Sequence, residues 1–406
     1  MSNLSWFWDQ HGVKVEFDGI PASYETWLVG SAQQPDSAQQ MLLDTVEAAT
    51  ATKIVRMDLL AKDENLVVKV EYEDGRRDIV RSPLLYKEDG TPRAHCLERF
   101  WREDGLLRWL ETQTPLPVPK VRYTIEGSGP GKYPYSVIEM LPGTILLNAF
   151  GRMPYTAKER AIRTHAEFAV KLFRLDVPQR IGSLRCTAEG IPEVIPQQTI
   201  NPQYAAPQVF DTLEAYIDFL ISRQLRSEDI RGTDDVSRRR SETTLTRFAT
   251  ELSRILARLS RPEHRRCVLS HDDLNHTNVL VDEAGGGAVS GVIDWEHQST
   301  LPAVLAAQYP PYIRSGDSQI PAGHSENRIE DSGMISPQGF SLTSPEDEAS
   351  LLEFYANAVK SLDEEYWEAL VEGALLRSAV EWLGSLHDES DCAALERWMY
   401  RAFPAV

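Results

Sequence analysis

The segment LSHDDLNHTNVLVD, residues 269–282, limits what this chain can fold into more than any other part of the sequence. Within eight positions it places two histidines, two aspartates and two asparagines: His271, Asp272, Asp273, Asn275, His276 and Asn278. Three apolar residues, 279–281, follow at once and predict a buried strand. Polar groups beside a buried strand are costly unless they bind something. The sequence therefore predicts that this loop forms a binding site.

A hairpin predicted after this loop brings another carboxylate towards it. Three glycines, 285–287, separate two apolar runs, and the second run ends at Asp294. A phosphate-binding P-loop would need Lys-Ser or Lys-Thr and a helix after the glycines, so we interpret them as a hairpin turn. The returning strand should place Asp294 near Asn278, with Asp273 close by. Amide and carboxylate oxygens suit Mg²⁺, and a free carboxylate beside the metal can accept a hydroxyl proton.

The charge of the chain argues against two classes of partner. The sequence has 42 basic and 61 acidic residues and a net charge of −19, and such a surface repels phosphate backbones and anionic lipids. We therefore expect no nucleic-acid and no membrane partner. The four cysteines are far apart and form no CxxC pair, which favours a reducing compartment over a disulfide framework. Because the N-terminus has neither a basic start nor a long apolar run, we expect a cytoplasmic protein.

The first third of the chain is predicted to contain strands around one helix. The segment NLVVKVEYEDGRRDIVRSP alternates apolar and polar residues on both sides of Glu73-Asp74-Gly75, which predicts a hairpin. A helix is expected within residues 94–113, and prolines end it before another strand. The apolar run YSVIEM then stops at Pro142-Gly143. We interpret residues 54–142 as a small α+β lobe that follows an N-terminal extension, residues 1–53.

The remainder of the chain, residues 143–406, is predicted to be mostly helical. Helices with apolar residues on one face are expected at three segments, 155–177, 212–227 and 244–260. Residues 314–344 are rich in Ser, Gly and Pro, so we expect a long surface loop, either a lid or a disordered segment. A helix should start again at Ser344, an N-cap residue followed by Pro345.

The combination of HDDLNHTN and VIDWE resembles the aminoglycoside phosphotransferase and choline kinase-like family, particularly its fungal members. The family pattern is His-Gly-Asp-Leu-x-x-x-Asn followed by Ile-Asp-Trp/Phe. The resemblance implies an α+β, protein-kinase-like bilobal fold, with a small antiparallel-sheet lobe that binds nucleotide and a larger, mostly helical C-terminal lobe. It also implies that Asp273 is the catalytic base, that His271 orients the loop, and that Asn278 and Asp294 bind Mg²⁺.

Two segments before residue 150 resemble the same family. REDGLLRWL implies that Glu103 is the partner of the cation that binds the nucleotide phosphates. YSVIEMLPGTIL resembles the hinge between the two lobes, where the backbone of Glu139 and Leu141 would contact adenine. These segments imply ATP as the phosphoryl donor, and GTP stays open as an alternative.

The sequence departs from the family pattern at three places. Arg81 stands where the family usually has the phosphate-binding lysine, and Lys69, one strand earlier, is the alternative cation. Asp272 replaces the glycine beside the expected base, where it either raises the pKa of Asp273 or lies in solvent. The segment LLAKDENLVV, which would cover the phosphates, contains no glycine, so side chains crowd the approach of backbone amides.

The function that these residues favour is ATP-dependent phosphorylation of a hydroxyl group on a small molecule. Two alternatives stay open: a catalytically weak kinase-like binding module, because the glycines and the lysine are missing, or a kinase-fold enzyme repurposed in a biosynthetic pathway. A transition-metal site at His271 and His276 is less favoured, because neither a cysteine nor a helical His-x₃-His pair accompanies them. The acids within 363–368 are interpreted as a solvated helix face, or as a contact for a cationic acceptor.

Overall fold

A six-stranded antiparallel sheet forms from the first third of the chain. The structure is a computed structural model and describes residues 4–8, 14–18, 25–28, 37–62, 65–85, 93, 96–113, 115–127, 134–187, 189–198, 206–231, 234–313, 342–386 and 389–403. The strands across the sheet are, in order, β3 (Glu25–Leu28), β4 (Ile54–Lys62), β5 (Asn65–Tyr72), β6 (Arg77–Pro83), β8 (Tyr135–Glu139) and β7 (Val121–Ile125). The turn at Glu73-Asp74-Gly75 joins β5 to β6, so the hairpin prediction is confirmed.

Two helices pack against this sheet, α1 (Ser37–Thr50) and α2 (Cys96–Gln113). Neighbouring residues of β6 and β8 point to opposite faces, as the pleat requires. Val80 and Val137 belong to the apolar cluster that contains α1 residues, whereas Ile79 and Ile138 pack with α2 residues. The sheet and its core therefore include β3 and α1, which precede residue 54. The division of the chain at residues 54 and 142 stays a prediction.

Beyond residue 142 the described chain is mostly helical, as predicted. The longer helices are α4 (Tyr155–Phe173), α5 (Leu213–Arg226), α7 (Asp235–Arg258), α9 (Pro345–Leu362), α10 (Glu364–Glu372), α11 (Ala374–Ser385) and α12 (Glu389–Ala402). The single-turn helices are α3 (Leu146–Ala149), α6 (Glu228–Arg231) and α8 (Ala303–Ala306), with 3₁₀ turns at Phe150–Arg152, Pro262–Arg265 and Pro311–Ile313. The helix start at Ser344 is confirmed, since its hydroxyl accepts the Asp347 N–H at 3.2 Å. Most of the expected 314–344 loop, residues 314–341, lies outside the described residues.

Short antiparallel strand pairs flank the polar loop within residues 269–282. The remaining strands are β1 (Leu4–Trp8), β2 (Lys14–Asp18), β9 (Thr144–Ile145), β10 (Ser183–Cys186), β11 (Pro192–Ile195), β12 (Cys267–His271), β13 (Val279–Asp282), β14 (Ala288–Val292) and β15 (Gln298–Pro302). β13 and β14 form the predicted hairpin, with Val279 opposite Val292, and β9 pairs with the other edge of β13. The polar loop 272–278 therefore spans the gap between β12 and this hairpin.

An apolar cluster joins α2 to the strands that flank the polar loop. Leu107 and Leu110 of α2 pack with Leu269 of β12, Val292 of β14 and Trp295, and each of these side chains is fully or almost fully buried. Burial of one such side chain contributes roughly 1.5–3 kcal/mol to folding. Because the cluster contains residues of α2 and residues of the strands that flank the loop, it fixes the position of α2 relative to the loop.

The fold-class prediction is confirmed: an antiparallel sheet in the N-terminal part precedes a larger, mostly helical C-terminal part. No helix among the described residues has the length and apolar character needed to span a bilayer. All four cysteines lie within the described residues, and no disulfide bond joins any two of them.

Candidate active site

His271 fixes the start of the polar loop. Its Nδ1 accepts a hydrogen bond from the Asp273 N–H at 3.3 Å, and its Nε2 lies 3.0 Å from the Ile293 carbonyl oxygen, which assigns the ring proton to Nε2. The ring meets Trp295 edge-on, with 4.7 Å between centroids. Burial lowers the pKa of His271 and so favours the neutral ring. A neutral imidazole bonded to two segments is suited to orient the loop.

Two asparagine side chains of the same loop hold the Asp273 carboxylate. Asn275 Nδ2 donates to Asp273 Oδ1 at 2.7 Å, and Asn278 Nδ2 donates to both Oδ2 and the carbonyl oxygen of Asp273 at 2.9 Å. Asn275 Oδ1 accepts the Thr277 N–H at 2.8 Å, which closes the turn. A carboxylate offers about four lone-pair positions, so these bonds leave room for an incoming hydroxyl group. The loop thus holds Asp273 in the fixed orientation that a base requires.

Asp294 lies after β14 in a backbone conformation that few residues other than glycine adopt. Its φ is +65°, which aspartate tolerates better than most residues. The preceding Ile293 N–H donates to the Asn278 carbonyl oxygen at 2.9 Å, so the segment that carries Asp294 is bonded to the end of the polar loop. Burial, followed by the negative charges of Glu103 and Glu296, raises the pKa of Asp294 well above its ordinary value.

Asn278 and Asp294 offer oxygens that fit a divalent cation. Because Asn278 Nδ2 is bonded to Asp273, its Oδ1 points the other way, with a long 3.5 Å contact from Thr277 Oγ1. A bound cation would relieve the repulsion between Asp294 and the neighbouring carboxylates. Within the described part of the chain, no group of three or more His, Cys, Asp and Glu side chains could hold a metal. One amide, one carboxylate and positions left to water and phosphate match the preference of Mg²⁺.

Arg81 and Glu103 form a buried ion pair between the sheet and α2. Arg81 Nη1 lies 2.6 Å from Glu103 Oε1, and the two side chains are 12% and 3% exposed. Glu103 Oε1 also accepts the Trp295 N–H at 3.0 Å. Lys69, the alternative cation, instead has its Nζ 2.5 Å from Oδ2 of Asp58. Of the two candidates, Arg81 is therefore the one paired with Glu103.

The expected hinge residues lie beside the strand that leads to Asp294. Glu139 ends β8, and Leu141 follows it. A Cβ at Gly291 of β14 would lie 2.7 Å from Leu141 Cδ1, so the glycine permits this close approach. Ser290 Oγ donates to the Pro142 carbonyl oxygen at 2.6 Å, which also ties the hinge to β14.

The family model of the phosphotransferase enzyme family, APH, matches residues 59–300 of this chain. The chain belongs to this phosphotransferase family. The matched range includes all the predicted site residues: Arg81, Glu103, Glu139, Leu141, His271, Asp273, Asn278 and Asp294. The resemblance inferred from HDDLNHTN and VIDWE is thereby confirmed.

Similarity to one relative extends over nearly the whole chain. Clavilactone A biosynthesis cluster protein Y from Ampulloclitocybe clavipes is 34% identical over 398 residues, which are 97% of this chain and 94% of the relative. Among solved structures, a thermostable mutant of aminoglycoside phosphotransferase APH(4)-Ia with ADP and hygromycin B has 15% identity and a TM-score of 0.49, covering 90% of this chain and 99% of that one. Macrolide 2'-phosphotransferase MphH from Brachybacterium faecium has 15% identity and a TM-score of 0.41, with the same coverage of both chains.

Several residues near the Arg81–Glu103 ion pair were not predicted from the sequence. Glu296, two residues after Asp294, has its Oε1 3.6 Å from Nη1 of Arg99 on α2. Burial alone would raise the pKa of Glu296, but the His297 hydrogen bond and the Arg81 charge hold it below its ordinary value. Arg99 lies four residues before Glu103 in α2, which places both on one helix face, and this spacing could have identified Arg99 from the sequence. Glu296 had no signal beyond its place in VIDWE.

Two other polar residues of the loop differ in their surroundings. Asp272 is partly accessible to solvent, but its carboxyl group is not simply solvated: its Oδ1 accepts the Ser299 hydroxyl at 2.8 Å, and burial raises its pKa to about 6. His276 is 5% exposed, and burial lowers its pKa to about 4. His276 is therefore a buried neutral imidazole at neutral pH.

The acids within 363–368 are not simply a solvated face. Asp363 and Glu365 form ion pairs with Arg174, and Glu368 forms one with Arg261. That part of the expectation was wrong, because these carboxylates already bind guanidinium groups of the chain itself.

A cavity of about 350 Å³ adjoins the polar loop. Asp272 and Asp273 line one side of it, and Phe173, Ala306 and Tyr309 are among the largely apolar and aromatic residues around the rest. Among the described residues that line it, none is a lysine or an arginine. Cavities of this size and composition are typical of small-molecule sites.

Proposed function

We propose that this chain transfers the γ-phosphoryl group of ATP to a hydroxyl group of a small molecule. The observation that supports this most strongly is the hydrogen bond between Asp273 and Asn278 beside Asp294. The Arg81–Glu103 pair lies near the Asp294 carboxylate. Phosphoryl transfer needs little covalent chemistry from the protein, because catalysis rests on positioning and charge stabilisation.

Asp273 is the proposed base. It would orient the acceptor hydroxyl group and accept its proton at a carboxylate oxygen. The amide groups of Asn275 and Asn278 hold that carboxylate, and His271 holds the backbone of the same turn. General bases placed in this way contribute roughly 10²–10⁴-fold to a rate.

Asn278 and Asp294 are the proposed Mg²⁺ ligands. When bound, the ion would supply positive charge to the phosphate oxygens. Arg81, oriented by Glu103, would bind the phosphates bidentately through its guanidinium group. The backbone at Glu139 and Leu141 would contact adenine beside β14.

The acceptor would bind in the 350 Å³ cavity, with its hydroxyl group at the Asp273 end. The two carboxylates in the lining, Asp272 and Asp273, favour a neutral or cationic acceptor over an anionic one. The name of the relative from Ampulloclitocybe clavipes refers to a biosynthesis cluster. An acceptor made in a biosynthetic pathway is compatible with that name and with the cavity lining.

Thermal-shift measurements with ATP, with and without Mg²⁺, test this proposal. We expect ATP to stabilise the wild type in a Mg²⁺-dependent manner and to lose this effect in Asp294→Ala. Glu283→Ala is a matched control, because Glu283 belongs to the same hairpin but pairs with Arg152 at the surface. A wild type that responds to neither ATP nor GTP would contradict the proposal and favour a kinase-like binding module. A positive result leads to acceptor screening by ADP release.

A further inference from the structure

Four donor groups converge on the carboxylate of Glu296. Asn65 Nδ2 donates to Glu296 Oε2 at 3.2 Å, and Arg81 Nη2 lies 4.0 Å from the same oxygen. Arg99 Nη1 and His297 Nε2 lie 3.6 Å and 3.4 Å from Glu296 Oε1. The side chains of Arg81, Arg99 and Glu296 are 12%, 11% and 12% exposed, so the cluster is formed inside the protein but stays accessible.

This cluster lies beside the proposed phosphate site. Arg81 contacts Glu296 and also Glu103, while Arg99 lies on the same face of α2 as Glu103. The backbone of Glu296 is held as well, because Arg102 Nη2 donates to its carbonyl oxygen at 3.1 Å. A second guanidinium group is therefore close to the cation that the family pattern assigns to phosphate binding.

Charge balance gives this second guanidinium a role. The charge of Arg81 is opposed by Glu103 at 2.6 Å, which leaves less positive potential for a nucleotide that carries several negative charges. The covering segment LLAKDENLVV has no glycine, so its backbone amides approach phosphate less easily. A guanidinium group offers several N–H donors in a fork that matches phosphate oxygens.

We propose that Arg99 is a second phosphate-binding cation, and that Glu296 is the counter-ion that positions Arg81 and Arg99 and yields them to the phosphates. This inference rests on the proposed function, since it assigns residues of the same nucleotide site. Glu296 is a positioning residue in this arrangement, because it acts through the two arginines.

Calorimetric titration with ADP, pyrophosphate and adenosine tests the role of Arg99. We expect Arg99→Gln to weaken ADP and pyrophosphate binding about tenfold, the usual size of one charge-assisted hydrogen bond, with adenosine binding unchanged. Arg99→Lys should retain part of the affinity, because the charge stays while the fork is lost. Arg108→Gln is the matched control: Arg108 lies on the same helix but donates to Thr124 on the outer side, so phosphate binding should stay at the wild-type level.

Two further variants separate a direct contact from a structural role. In the Arg81→Gln background, Arg99→Gln should weaken pyrophosphate binding by a further severalfold. Glu296→Gln should tighten pyrophosphate binding a few-fold, because the amide oxygen still accepts from the arginines that Glu296 positions while the competing negative charge is removed. If Glu296 only supported the structure, its substitution would weaken pyrophosphate binding, and that result would overturn the proposal.

The failure of this inference can be distinguished from the failure of the proposed function. If Arg99→Gln and Arg99→Lys bind pyrophosphate as the wild type does while Arg81→Gln loses it, Arg99 makes no phosphate contact and only this inference falls. If the wild type itself binds neither ADP nor pyrophosphate, both fall. Thermal melting of each variant identifies any that is unfolded, and Arg99→Lys then carries the test in place of Arg99→Gln.

Discussion

The polar loop and the nucleotide side of the site are held together in different ways. In the loop, Asp273, Asn275 and Asn278 bond to one another within a single turn of chain. On the nucleotide side the partners come from distant segments, and the Asn65–Glu296 hydrogen bond joins residues 231 positions apart. The loop is therefore a local structure, whereas the nucleotide side exists only when the sheet, α2 and the segment after β14 are assembled.

This difference separates the expected effects of substitutions. A change in the loop alters the geometry of one turn and leaves the surrounding core intact. A change on the nucleotide side removes a contact between elements and leaves a buried charge without its partner. Loop variants should lose turnover while keeping stability, whereas loss of Glu103, the partner that orients Arg81, should lower nucleotide affinity and stability together.

Asp273→Asn in the loop should have the largest effect. The amide keeps the size of the side chain but does not accept a proton, so kcat should fall about 10²–10⁴-fold, with the nucleotide KM and the unfolding free energy little changed. Steady-state ADP release and urea denaturation measure these quantities. Glu283→Gln, in the hairpin that follows the loop and paired with Arg152 at the surface, is the control, and an equal loss of kcat there would contradict the assignment of the base.

Glu103→Gln tests the nucleotide side. Arg81 would lose its 2.6 Å partner, and we expect the unfolding free energy to fall by about 2 kcal/mol, because the Glu296 carboxylate remains nearby. Nucleotide affinity should fall about tenfold at the same time. Urea denaturation and calorimetric titration measure the two losses.

The exposed pair Glu111–Lys120 provides the control for this variant. Its atoms are 3.5 Å apart and Glu111 also lies on α2, but the side chains are 41% and 57% exposed. Glu111→Gln should therefore change stability by less than about 1 kcal/mol. A loss of affinity in Glu103→Gln without any loss of stability would remove the distinction between the two regions.

Acid sensitivity should differ between the regions as well. Burial lowers the pKa of His165 in α4 and of His276 in the loop to about 4, against about 6.5 in an unfolded chain. Below pH 6.5 the unfolded chain binds protons that the folded chain excludes, so their combined effect should lower the unfolding free energy by about 2 kcal/mol between pH 6.5 and 5.5. Urea denaturation at both pH values measures this, and His276→Gln should remove about half of the difference.

His297 on the nucleotide side should act in the opposite direction. Burial lowers its pKa, but the hydrogen bond to Glu296 outweighs that effect and raises the pKa above its ordinary value. Its contribution to stability is therefore present below pH 6.5 and is lost as the pH rises through the folded-state pKa. His297→Gln should make the loss of stability in acid steeper, and a shallower loss would contradict this assignment.

Gly291→Ala should have the smallest effect. Its Cβ would lie 2.7 Å from Leu141 Cδ1 and 3.0 Å from Leu280 Cδ1, both ends of side chains that can shift, so stability should fall by only about 1 kcal/mol. If Leu141 belongs to the adenine site, ADP binding should weaken about two- to threefold while pyrophosphate binding stays unchanged. Gly384→Ala in α11, where a Cβ would meet open space, is the control and should be neutral or slightly stabilising.

The polar loop could be predicted from the sequence because it is local. Its residues, the hairpin after it and Asp294 lie within 24 positions, and turn chemistry with alternating apolar residues was sufficient to bring them together. The hairpin of β5 and β6 was predicted on the same basis. The pairing of Arg81 with Glu103 came from the family resemblance, because no periodic pattern connects a strand to a distant helix.

The cluster around Glu296 could not be predicted in this way. Asn65, Arg99 and Glu296 lie on three elements, and their meeting depends on how the α2 cluster packs against Trp295. The pairing of β3 with the sheet and the packing of α1 against it were not predicted for a similar reason, since a period of two identifies a strand but not its neighbour. Tertiary packing selects these partners, and the sequence carries that information only in the sum of many apolar contacts.

The hydrogen bond from Trp295 to Glu103 has a consequence for regulation. Trp295 is fully buried, so an outward movement of α2 that withdrew Glu103 would leave its N–H without an acceptor, at a cost of about 1–3 kcal/mol. The withdrawn arrangement would then make up between about one molecule in six and about one in 160. We therefore expect the chain to be assembled for nucleotide in its resting state, without a separate activating modification or partner.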